Sequence, residues 1–357
     1  MKTKFGIFPR LLLTMILVAI VPLGANWWIN YQASLERLSN QVEQQLSAQA
    51  DGLATYVDTW MEMNLKLLRQ NASLDDMISM DPAKQLPILR AIVKEYDKWL
   101  FIAFSNDTAG MNIARSDTET LKSFADRAWF QNAMKGPYGA DVQIARSYGR
   151  PTFALAVPIV ANDQKIVGVL TTASWVADLS QIITGVKIGK TGYAYLLSAQ
   201  GKVVAHHKKA YTEILADFSK NAALTALGQA SKKKVEFVDD ATNKKVISFA
   251  QRSKYGWVVI IQQDHDEAYA PVNEANRNAL IVLGATLTVV ILISFVVARR
   301  LSRPILNMTS IADNISRGEL GAKVKEINRS DEIGELARAV DRLGTSMRLA
   351  IERLSKR

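Results

Sequence analysis

The sequence predicts an α+β protein with two transmembrane helices, a long helix after the first of them, two tandem antiparallel-sheet modules and a closing pair of parallel coiled-coil helices. Three observations carry this reading. Two long runs, residues 11–35 and 278–298, contain no charged side chain. Near residue 95 the hydrophobic period changes from helical to alternating, and the alternating pattern then recurs. Near the end, Ile333, Leu336, Val340, Leu343, Met347 and Ala350 follow a 3-4-3-4-3 spacing, the a/d seam of a coiled coil.

The 357 residues leave room for two or three units, and the absence of cysteine excludes a disulfide framework and thiol chemistry. The net charge of +10 sits at the ends: Lys2, Lys4 and Arg10 precede the first apolar run, and residues 299–357 carry 13 basic against 8 acidic side chains. Such a distribution speaks for membrane topology and against nucleic-acid binding. Residues 11–30 form the first span and 278–298 the second, with Trp27, Trp28, Tyr31 and Tyr269 suited to one interfacial belt. Arg299, Arg300 and Arg303 follow the second span. Positive charge on both flanks places residues 1–10 and 299–357 in the cytoplasm of an inner (plasma) membrane protein, and 31–277 outside. A cleaved signal peptide fits less well, because the run is long and Leu23-Gly24-Ala25 is a poor cleavage site.

Leu35, Leu38, Val42, Leu46, Ala50, Leu53, Val57, Trp60, Leu65 and Leu68 recur at helical spacing, predicting a helix over 35–70 that is a dimer stalk, an element buried against its own domain, or both on different faces. Residues 99–114 and 192–207 both read strand, polar turn, strand, with turn glycines Gly110 and Gly201; residues 153–174 and 244–263 do so again, with Gly168 and Gly256 expected in the turns. The spacing predicts two modules of about 90 residues, over 75–180 and 185–268.

In this order the elements resemble a bacterial sensory receptor with a double Cache domain outside the membrane, whose modules are PAS-like, followed by a HAMP domain over 299–352 and a tail over 353–357. The HAMP resemblance rests on Arg299-Arg-Leu-Ser-Arg-Pro304, then Ile305, Met308, Ala312 and Ile315, a turn at Gly318-Glu319-Leu320, a connector with Val324 and Ile327, and Asp331-Glu332-Ile333-Gly334 opening a second helix. Pro304 is expected in the first turn of the first helix. Ile305, Met308 and Ile315 with Ile333, Leu336, Val340 and Leu343 would form the core, and Asp331 and Glu332 favour the positive end of the second helix. Two chains would complete a four-helix bundle, acting as a two-state switch or as a static anchor. A homodimer, contact with membrane lipid and a separate cytoplasmic effector follow from the resemblance, since residues 299–357 cannot house a kinase, cyclase or methyl-accepting hairpin. A shortened form of a chemotaxis receptor or sensor kinase, or a membrane-anchored binding protein without switching, is the alternative.

The resemblance implies a ligand site in the distal module. Arg127, Trp129 and Phe130 match an Arg-x-Trp-aromatic element that holds a ligand carboxylate in amino-acid-binding members. Other positions depart from that pattern: Lys122 and the stretch Val142-Gln143-Ile144 stand where tyrosines are usual, and the strand from Gly168 to Ala173-Ser174 lacks the aspartate that meets the ligand's ammonium. A small organic anion is therefore expected and a free α-amino acid is not, with Lys122 and Arg146 as further basic groups and Thr172 and Ser174 as hydroxyl donors. Arg127 and Trp129 serving only to buttress the loop is the competing reading. His206-His207 and Asp264-His265-Asp266 read as solvated loop and not as metal ligands, and the lysines at 231–234 and 244–245 as hairpin surface or an approach to anionic lipid. No phosphate loop, nucleophile elbow or zinc-protease helix is present, so neither an enzyme nor a cofactor is expected.

Overall fold

The computed structural model describes residues 6–96, 99–239, 242–319 and 321–355. Lys2, Lys4, Leu320 and the last two residues of the tail lie outside them. The chain divides into two compact units, one of residues 37–271 and one of residues up to 36 with those from 272 onward. The first is a mixed helix and antiparallel-sheet arrangement and the second is helical and carries the two long apolar runs, as the sequence predicts.

The first apolar run and the long helix form one element, α1 (Ile7–Ala72), which continues through Pro22. Its buried residues Val42, Leu46, Ala50, Leu53, Val57, Met61, Leu65 and Leu68 make a single stripe three to four residues apart. That stripe packs on the two sheets, so one face of the helix is buried against its own domain. Helices α2 (Asp75–Ile78) and α3 (Pro82–Tyr96) lead into the first module. It consists of β1 (Ile102–Asp107), β2 (Asn112–Arg115), α4 (Ala128–Lys135), β3 (Gly139–Ile144), β4 (Pro151–Val160) and β5 (Ile166–Trp175) in the order β2-β1-β5-β4-β3.

The second module follows α5 (Val176–Thr184) and holds β6 (Lys187–Ile188), β7 (Gly192–Leu197), β8 (Val203–Ala205), α6 (Lys209–Glu213), α7 (Ala222–Leu227), β9 (Lys232–Asp239), β10 (Lys244–Arg252) and β11 (Val258–Asp264). Its sheet runs β6-β7-β11-β10-β9 with β8 also on β7, so β8-β7-β11-β10-β9 repeats the first order strand for strand. Gly110 and Gly201 hold matching turns at φ 84° and 80°, and in each a Cβ would strike backbone within 2.7 Å. Gly168 departs from expectation: it lies within β5, packed on Met80, and the β4–β5 turn takes its positive φ at Gln164. Gln164 then corresponds to Gly256 at an offset of 92, in step with the 91 of the first pair.

Two other readings are corrected. His206 is buried among Tyr193, Tyr195, Tyr211 and Phe218, with its ring stacked on His207 at 4.4 Å; the apolar walls of α6 and the loop before α7 cover what the polar local sequence made look solvated. Pro304 does not open a helix but lies inside α8 (His265–Ser316), as Pro271 does, because α8 runs unbroken from the last strand through the second apolar run and beyond. Each proline leaves one carbonyl of the preceding turn without a helical donor.

In the second unit α8 ends on Gly318 at φ 88°, whose N–H bonds Ile315 O at 3.1 Å while Glu319 N bonds Asn314 O at 2.9 Å. After a single 3₁₀ turn at Glu326–Asn328, α9 (Glu332–Ser355) begins with the Asp331 carboxylate accepting from Gly334 N at 3.1 Å. Gly334 is required there: a Cβ would lie 2.0 Å from Arg329 O. Met308, Val324 and Ala337 form a small core with Ile311, Ile327 and Val340, and Ile315 packs near Gly344. Ile305 and Ile333 are half-buried, whereas Leu336 and Leu343 are 46% and 54% exposed.

Candidate ligand site

The first-module sheet separates two layers. Along β5 the side chains alternate, so Leu170 faces the α1 core while Val169 and Ala173 face α4. Thr172 and Ser174 share the parity of Leu170. Thr172 pairs with Ala103 and Leu155 of the α1 core, so both hydroxyls point away from the α4 layer where the sequence reading placed them. Thr171 and Ala173 take that face instead.

α4 lies close over β3 and β4 because Gly139 opens β3 without a side chain: a Cβ there would sit 1.7 Å from Trp129 O. Trp129, fully buried, packs against Phe104 at 5.7 Å and Phe124 at 5.6 Å, with Phe130 edge-on at 6.1 Å. Arg127 is the residue preceding α4, in extended conformation, and its Nη1 donates to Gln143 Oε1 at 2.7 Å. Its Nε, Trp129 Nε1 and Thr171 Oγ1 are buried with no hydrogen-bond partner among the described residues.

Against this layer a narrow cleft, about 390 Å³ of space including open solvent, lies between β1, β4, β5 and the loop at 145–148. Trp129 and Arg146 line it; Arg127, Phe130 and Lys122 stand just outside the lining. Arg146 is held by Asp126 at 2.7 Å and Ser123 O, over the Phe124 ring at 5.6 Å. Lys122 Nζ donates to Ser147 Oγ at 3.3 Å.

The sequence reading missed the strongest polar group. Arg115, at the end of β2 and 4% exposed, forms a two-toothed pair with Asp117 (2.8 and 2.7 Å), bonds Asn112 Oδ1 at 3.2 Å and lies 5.8 Å from the Phe104 ring centre. Tyr148 also donates to Asp117. Burial works against the Asp117 charge, but the bonds from Arg115 and Tyr148 outweigh it and hold its pKa below the ordinary carboxylate value. Burial, then the Asp117 carboxylate, push Tyr148 up to about 12. Tyr148 in turn stands edge-on to Phe101 and Trp175, which stack at 3.7 Å. The signal available in the sequence was Arg115-Ser-Asp117 directly after a strand, a spacing that lets the two charges meet around a turn. Among the described residues no carboxylate lines the cavity, and its charged lining residues are Arg115 and Arg146.

The Cache domain model matches residues 31–272, and the HAMP domain model residues 296–349. The chain belongs to the Cache domain family. Among curated relatives, the methyl-accepting chemotaxis protein PscA of Pseudomonas syringae is 26% identical over 97% of this chain and 56% of its own length. McpA of Bacillus subtilis is 23% identical over 96% and 51%. The chain thus spans about half the length of the curated relatives it matches. The Cache fold is shared with the ligand-binding domain of Pseudomonas aeruginosa PctB in complex with L-Arg, at 18% identity and TM-score 0.52, covering 65% of this chain and 98% of that one. The extracellular domain of the putative histidine kinase rpHK1S-Z16 is likewise 18% identical, at TM-score 0.53 over 64% and 96%. A Cache domain between two apolar helices, followed by HAMP, makes the chain an inner-membrane receptor with a periplasmic sensor, built from signalling domains.

Proposed function

We propose that this Cache receptor senses a small organic anion in the first-module cavity and passes the event along α8 to a dimeric HAMP bundle that acts on a cytoplasmic signalling effector, with both chain termini in the cytoplasm. Support for the ligand class comes from the donors of the site. Among the described residues the charged groups lining it are the guanidiniums of Arg115 and Arg146, each paired with an aspartate outside the lining. Trp129 Nε1 in the lining and Arg127 Nε just outside it are buried donors with no partner among those residues. A buried donor gains most from an acceptor that brings negative charge. Ala173 lines the cavity on the strand that, by the resemblance to amino-acid-binding members, would carry the aspartate for a ligand's ammonium, which speaks against an α-amino acid. Neighbours such as PctB with L-Arg and the Pseudomonas fluorescens receptor CtaA with L-leucine support a small-molecule site in this fold and frame the alternative, an amino acid.

Calorimetry on the full chain in nanodiscs distinguishes them. Short mono- and dicarboxylates are expected to bind with Arg127→Ala weakening them at least tenfold, and tight binding of amino acids in their place would overturn the anion assignment. Dimerisation is supported by the exposed Leu336, Leu343 and Met347 of α9, which a second copy would cover.

A further inference from the structure

A second cleft lies beside the free edge of β3. Met61 of α1 forms its floor, Tyr138 and Asp141 come from the first module, and Ser198, Tyr255 and Trp257 from the turns of the second; it encloses about 820 Å³ of space open to solvent. Its walls are aromatic. Tyr138 and Tyr255 meet edge-on at 5.7 Å, and Trp257, buried, stands at right angles to Phe153 at 4.9 Å.

Asp141 is the one charged residue lining this cleft, half-buried, and among the described residues it forms no ion pair. Lys202, exposed, and Arg127, committed to Gln143, act on it only at a distance, and its own backbone supplies the Val142 N–H; burial outweighs these three and raises its pKa. A carboxylate in such a place costs free energy until a cation shares its burial. Tyrosine and tryptophan rings also line the cleft, and aromatic faces attract cations through the negative side of their quadrupoles. Glu62 and Asp58, near Tyr255, add negative field at the rim, which Arg69 partly offsets.

We propose that this cleft is a second ligand site, distinct from the anion site, that takes a small alkyl- or quaternary-ammonium ion paired with Asp141 and cradled by Tyr138, Tyr255 and Trp257. Because its walls come from both modules, an occupant would bridge them.

The test is titration of the full chain in nanodiscs with tetramethylammonium and with putrescine, at constant ionic strength set by sodium chloride. Saturable binding of at least one cation is expected, weakened tenfold or more by Asp141→Asn and by Tyr255→Leu and unchanged by Arg146→Gln in the other cavity. Thermal melting of each variant checks its fold, and Tyr255→Leu alone decides should Asp141→Asn melt early. Neither cation binding, binding unaltered by the folded cleft variants, or binding lost with Arg146→Gln would overturn the proposal.

Discussion

His206 shows what a single residue contributes once its surroundings are known. Its Nδ1 accepts from Lys208 N at 2.9 Å, and burial, then neighbouring His207 and Lys208, lower its pKa to about 3. The unfolded chain titrates near about 6.5. A folded pKa below the unfolded one means that the unfolded chain binds the proton first, so the stabilisation is complete above about 6.5 and is lost as the pH falls from there towards 3. Urea unfolding followed from pH 7 to pH 5 should show stability falling with acid. His206→Phe, which keeps an aromatic ring in the cluster, should flatten that slope; an unchanged slope would assign it to other groups. Arg115 teaches the complementary lesson. Read in sequence it is one of 44 basic residues, and only the return of the chain at Tyr148 makes it the centre of a buried network.

At the scale of elements, the approach of α4 to β3 decides whether the ligand layer forms. Gly139→Ala must displace backbone and not a flexible side chain, since the obstruction is Trp129 O. Overpacking of this kind costs about 1–3 kcal/mol. Chemical denaturation should report that loss, and Trp129 fluorescence should shift with it. The start of α8 is tied in a comparable way: Glu267 accepts from Lys190 N at 2.6 Å, from Thr191 N at 2.8 Å and from the Thr191 hydroxyl, so the turn Gly189-Lys-Thr-Gly192 grips the first turn of the helix that leaves the sensor. The sequence holds no phosphate loop, yet the backbone donors of this turn do hold an anion, one supplied by the chain itself. Helix and strand existence was readable because period and turn chemistry are local. Where α1 and α8 begin and end was not, because proline marks a helix boundary in a sequence and both helices nevertheless continue through Pro22, Pro271 and Pro304.

For the molecule as a whole, the open question is the partner of α9. Within one chain Ala337, Val340 and Gly344 face the first HAMP helix, whereas Leu336, Leu343 and Met347 do not. An exposed a/d row of this kind is the half of a seam that a second copy completes. With no native cysteine, Leu343→Cys gives a single reporter: oxidation of membranes should yield a disulfide-linked dimer in high proportion, and an exposed control at Arg348 should yield far less. Equal yields would argue for collision and against a bundle.

The sequence by itself determined the two apolar helices, the duplicated module and the a/d seam, and through them the family, because each rests on composition and spacing along a short stretch. The tertiary structure alone decided which side chains share a cavity. Thr172 and Ser174 were one residue out of phase with the cavity face, and in a strand one residue is the whole difference between two layers. Arg115, Asp117 and Tyr148 meet across 33 residues, and Asp141 lies in a cleft whose other walls come from the second module. Those meetings follow from long-range strand register and helix packing, which no local period encodes.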